Sequence, residues 1–179
     1  VFAFEDTGEA VEVVRGVGPT PHRREQIGPA PQRGLVIRCP IEGGPVGVGF
    51  APNGEVWIHN DHDGAGHVID SRTDTVVHTM KNLGTGAGRM AVSADGRFAA
   101  STHGGTEDVA LIDAQARTVL ARIPLGKGPA FPIFSPDGGK LYVMSYGTGD
   151  LAVIDTATRR VVARHKAGVT PFGGSLRMT

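Results

Sequence analysis

Cysteine is nearly absent from this 179-residue chain, Cys39 being the only one. No internal disulfide can form, so stability must come from burial, and cysteine usage leaves the redox compartment open. An excess of one charge is missing too, since 18 Lys and Arg balance 18 Asp and Glu. No global field draws the chain to nucleic acid or to an anionic membrane, and no nucleic-acid partner is expected. Aromatic residues make up only 6%, and no apolar run approaches the roughly 20 residues that cross a bilayer. The amino end "VFAFEDTGEA" has neither a basic n-region nor an apolar h-region, so no transmembrane segment of its own is expected. No Gly-x-Ser-x-Gly elbow, Cys-x-x-Cys or His-x-x-x-His occurs. With no catalytic constellation in view, the chain reads as non-enzymatic.

Glycine and proline are abundant instead, at 27 and 12 residues, alongside frequent Val-Ile-Leu runs. That mixture excludes a disordered chain and implies short strands joined by tight turns in one domain over 1–179. The turns repeat. "APNG" at 51–54, "SADG" at 93–96 and "SPDG" at 135–138 recur at 42-residue intervals, as do Gly84, Gly126 and Gly168. Asp70, Asp113 and Asp155 close "HVID", "ALID" and "AVID" at spacings of 43 and 42. Between the turns lie apolar or alternating pieces such as "VGVGF", "EVWIHN", "HVID" and "TVVHTM", which read as strands of a meander. Pro at the second and Gly at the fourth position of "SPDG" suit a turn from the first strand into the second. The closing aspartates suit a turn from the third strand into the fourth, their side chains bonding backbone N–H groups just beyond.

A four-stranded unit of about 42 residues that cannot bury both faces alone fits a β-propeller blade. The fold class expected is therefore all-β, a propeller-like arc of four-stranded antiparallel blades. Three blades are bounded at about 44–84, 86–126 and 128–168. A partial blade spans 1–43 with an irregular insertion at 22–33, and an extra strand is expected at 169–179. The residues Ser135 to Gly138, Tyr142 to Ser145 ("YVMS") and Val153 to Thr158 ("VIDTAT") give the pattern its closest parallel: it resembles the YVTN-type β-propeller repeat family over residues 44–168. Propellers close with four to eight blades, which removes exposed strand edges. Three blades fall short, so the open edges call for a protein partner or a second copy.

Turns after the second and fourth strands share one face of a propeller, where ligands commonly sit. There the sequence gathers Asp61, His62 and Asp63 in "NDHDG", with His103 in the following blade. Imidazole and carboxylate groups converging from neighbouring blades form a candidate metal set. The plain reading is that these are ordinary turn residues. His59 reads as a packed or rim histidine. Arg23, Arg24 and Arg33 in the insertion, with Phe172 and Arg177 at the carboxyl end, are candidate partner-binding residues. The function expected is a protein-interaction or scaffold subunit that carries no cofactor and stabilises a larger assembly. The family resemblance implies an exported, periplasmic or membrane-associated setting. It also offers an alternative, a propeller linked to a redox enzyme and holding a transition metal or haem.

Overall fold

The computed structural model describes residues 11–15, 35–39, 41 and 44–168. The chain divides into two compact units, Val1–Glu42 and Gly43–Thr179. In the first, β1 (Val11–Arg15) pairs antiparallel with β2 (Leu35–Cys39), Val11 opposite Cys39. The insertion at 22–33 and the segment 169–179 lie outside the described residues, as do Arg23, Arg24, Arg33, Phe172 and Arg177.

The second unit is all-β and propeller-like. Its three sheets are antiparallel meanders. The first blade runs β3 (Pro45–Phe50), β4 (Glu55–Asn60), β5 (Gly66–Asp70) and β6 (Thr75–Met80). The second runs β7 (Ala87–Val92), β8 (Phe98–His103), β9 (Asp108–Asp113) and β10 (Thr118–Pro124). The third runs β11 (Pro129–Phe134), β12 (Lys140–Ser145), β13 (Asp150–Asp155) and β14 (Arg160–Lys166). The opening strands lie side by side, β3 next to β7 and β7 next to β11. Gly47 makes the first approach possible, because a Cβ there would stand 2.9 Å from the Met90 backbone nitrogen.

The turns behave as their residues dictate. Gly54, Gly96 and Gly138 donate to the carbonyls of Ala51, Ser93 and Ser135 at 3.0, 2.9 and 2.9 Å. Asp70, Asp113 and Asp155 accept backbone N–H bonds from Arg72, from Gln115 and Ala116, and from Thr158. Four residues beyond these aspartates, Asp74, Arg117 and Arg159 take left-handed backbone angles, with φ of 53°, 55° and 58°. Every blade also bulges twice, where its first strand meets the second and where its third meets the fourth.

The cores are seams between blades. Trp57, Val68, Met80 and Leu83 of the first blade pack on Met90, Ala99, Ala110 and Ile112 of the second. Ala100, Val109, Leu111 and Ile123 of the second pack on Phe134, Leu141, Val143, Ala152 and Ile154 of the third. Each buried aliphatic side chain contributes about 1.5–3 kcal/mol, against about 0–1 kcal/mol for an exposed ion pair. The seams therefore hold the blades together, and arginines fix their register. Arg117 pairs with Glu55, Arg97 donates to the Asp137 carbonyl at 2.9 Å, and Arg159 donates to the Leu120 carbonyl at 3.3 Å.

Candidate functional site

Alternation along a strand sends residues 57 and 59 toward the next blade and residues 99, 101 and 103 toward the preceding one. Strand pairing fixes the correspondence between blades, because Glu55, Phe98 and Lys140 each lie opposite the aspartate that closes the third strand. His59 thus occupies the position of Thr102 and Met144, and His103 that of Asn60 and Ser145. Only the seam between the first and second blades brings two imidazoles together. Their rings meet edge to face, with centroids 4.8 Å apart at 90°.

Both rings and Ser101 are fully buried. His59 Nδ1 lies 2.8 Å from Ser101 Oγ. His103 Nδ1 lies 2.7 Å from Asp108 Oδ1; an ionised carboxylate only accepts, so this nitrogen carries the proton. Asp108 also accepts from Thr106 Oγ1 at 2.9 Å and from Arg122 Nε at 2.7 Å. Arg122 reaches back to the Asn82 carbonyl at 3.3 Å, tying the array to the strand connection before it. No side chain separates His103 from Gly84, where an added Cβ would stand 2.3 Å from the imidazole Cγ. The Nε2 atoms of His59 and His103 are both buried and neither makes a well-formed hydrogen bond, although the Gly84 carbonyl lies near the His59 ring.

The electrostatics follow from burial. Desolvation, reinforced by the neighbouring His103, lowers the His59 pKa to about 4, although the Gly84 carbonyl, Asp61 and Asp63 favour the charged ring. Desolvation also lowers His103, overriding the hydrogen bond and charge of Asp108. Both rings are neutral at pH 7. Burial pushes the Asp108 carboxyl up, but hydrogen bonds from Arg122, His103 and Thr106 outweigh it and hold the group below the usual carboxylate range. The array is chemically a pair of neutral imidazoles, one anchored by a carboxylate and one by a hydroxyl.

The residues expected to form a metal set are placed differently. His103 is the last residue of β8 and points into the seam rather than standing in a turn. His62 is exposed, its ring within 3.0 Å of where a Gly44 Cβ would stand. Asp61 accepts the Ala87 N–H at 2.8 Å, a bond from the first blade to the second, and Asp63 accepts the Ala65 N–H at 2.9 Å within its own turn. Among the described residues no three His, Cys, Asp or Glu side chains gather into a cluster that could hold a metal ion. Asp61, Asp63 and exposed His62 thus stand in the turn after the second strand, while His103 lies apart from them in the seam. His59, read as a packed or rim histidine, is packed, and it is the neighbour of His103. The available signal was the blade offset, which assigns residues 59 and 103 to facing sides of one seam.

No known protein family matches the chain, and no curated protein matches it. Among solved structures it is similar to a chain of Kuenenia stuttgartiensis hydrazine synthase, at 25% identity and a TM-score of 0.65 over 72% of this chain. The match takes in 37% of that chain, so this sequence spans well under half the length of its neighbour. The likeness agrees with the propeller-like arrangement of the three sheets.

Proposed function

We propose that the chain is a non-enzymatic scaffold segment of YVTN type that works by docking on another protein surface within a larger, exported or membrane-associated assembly. One observation carries the reading. In the second blade every residue of the second and third strands except the two terminal ones, Phe98 and Asp113, is buried, so both faces are covered. In the third blade the equivalent outward positions, Tyr142, Met144 and Leu151, stay partly open to solvent. A sheet face built to the same plan but incompletely covered is suited to a further surface of similar shape. The hydrazine synthase likeness supports an enzyme complex as the larger assembly, and the exported setting rests on the family resemblance.

The test is the molar mass of the chain by light scattering, for the native sequence and for Met144→Asp. The native chain is expected to associate above one chain mass and the variant to return to monomer with its fold intact. A Met144→Asp variant that associates as the native chain does overturns the reading, because the third-blade face is then not the docking surface.

A further inference from the structure

A buried imidazole nitrogen without a partner is uncommon and calls for an explanation, because the unmade hydrogen bond leaves the desolvation cost uncompensated. Here two such nitrogens occur in one seam, each on a fully buried ring: Nε2 of His103, and Nε2 of His59, whose ring has only the Gly84 carbonyl nearby and no well-formed bond to it. Each ring has its other nitrogen tied, to Ser101 at 2.8 Å and to Asp108 at 2.7 Å. Fixing Nδ1 by a carboxylate or hydroxyl is how imidazoles are oriented to present Nε2 to a metal. Two imidazoles bound through Nε2 at about 2 Å to one tetrahedral ion have ring centroids about 5 Å apart. The observed separation is 4.8 Å.

We propose that His59 and His103 form a two-imidazole site for a borderline transition-metal ion such as Zn²⁺ or Co²⁺, held in the seam between the first and second blades. Imidazole suits these ions, and with two protein ligands the site is open and weak compared with a closed four-ligand centre. His103, with its proton on Nδ1, already presents a bare lone pair at Nε2. His59 reaches the same tautomer when Ser101 Oγ accepts from its Nδ1, which moves a proton between ring nitrogens without net release. Because both rings are already neutral at pH 7, binding displaces no proton. The cover over the pair is backbone rather than side chain at Gly84, so local opening of that connection admits an ion.

The other blades supply substitutes compatible with the fold: Thr at the position of His59 and Ser at that of His103. Chelator-stripped protein is titrated with Co²⁺, following visible absorption, and the Co²⁺ is then displaced with Zn²⁺. Saturable 1:1 binding is expected in the native chain and in His62→Ala. His59→Thr and His103→Ser each abolish it, and Asp108→Asn weakens it about 10–100-fold. A measurement that needs no variant is histidine ¹⁵N NMR with Zn²⁺, where Nε2 of two of the seven histidines should shift. The proposal is overturned by absence of saturable binding, by binding that survives both seam variants, by loss on His62→Ala, or by shifts confined to exposed rings.

Discussion

The two seams of the second unit share a backbone plan and distribute their bulk in opposite ways. Between the first and second blades the large residue, Trp57, belongs to the earlier blade and faces Ala99 and Ala110 of the later one. Between the second and third the earlier blade offers Ala100 where Trp57 stood, and the later blade answers with Leu141 where Ala99 stood. The polar ends differ as well: His59 meets His103 in one seam, while the equivalent Thr102 and Ser145 occupy the other. A repeat therefore lets either blade supply the larger residue across a seam rather than fixing the residue at a position, provided the interface stays closely packed.

The largest effect expected from disturbing this comparison is at Trp57. Trp57→Ala should cost about 3–5 kcal/mol, read from urea unfolding by far-UV circular dichroism, since Trp57 is the only tryptophan. Adding Ala99→Leu, which imports the pattern of the second seam, should recover part of the loss. Recovery of nothing would mean that bulk cannot be moved from one side of this seam to the other.

Acid should separate the seams next. A histidine whose native pKa lies below its unfolded value binds protons more readily when unfolded, so its contribution is complete above the unfolded value and drains as pH falls. For His59 the window runs from 6.5 down to about 4. Crossing it should remove up to about 3 kcal/mol, with His103 adding in the same direction. Asp70 and Asp95, lowered to about 2, drain only below the ordinary aspartate value of 3.8. Urea midpoints measured across that range should slope in the native chain and flatten in His59→Thr. An unchanged slope in the variant would move the acid sensitivity out of the first seam.

A smaller difference lies at the blade ends. The second and third blades repeat a clamp, Thr106, Asp108 and Arg122 answering Thr148, Asp150 and Arg164. The first blade has Ala65 and Thr79 there and closes with Asn60, His67 and Thr79 instead, bonded at 3.1 Å and 3.1 Å. A double-mutant cycle on Asp108→Ala and Arg122→Thr, the first-blade residues, should give a coupling of about 1 kcal/mol, the lower end for contacting charges. Arg122 keeps 38% of its side chain in water, which screens the pair. A coupling near zero would reduce the clamp to turn geometry.

The strands, their order and the aspartate and Ser-Pro-Asp-Gly turns were legible because each is dictated by residues close in sequence. Gly54, Gly96 and Gly138 could stand nowhere else in those turns. The candidate site was not legible in the same way. His103 is adjacent to a Gly-Gly turn in the chain, and that neighbourhood suggested a loop residue, whereas pairing with Asp108 makes it the end of a strand. Its contact with His59 spans two sheets, and only the strand register decides which side chains face each other there. The bulges between third and fourth strands were also hidden, since the extra residue in each is an ordinary Val or Leu: Val77, Leu120 and Val162.

The least effect should come from the pair that looks strongest on distance alone. Arg72 donates to Asp70 through Nε at 2.9 Å and through Nη2 at 2.6 Å, a two-pronged contact shorter than most in the seams. Its side chain is 82% exposed, so water and salt screen both charges and the rotamer freedom given up offsets the attraction. The turn does not need it, because Asp70 Oδ1 also accepts the Arg72 backbone N–H at 2.9 Å, a bond any residue but proline can make. The second and third blades close the same turn with Gln115 and Ala157 in the place of Arg72, and their aspartates still bond the backbone. Arg72→Ala should therefore leave the urea midpoint where it is at moderate salt. A clear drop would show that the first blade depends on surface charge in a way the other two do not.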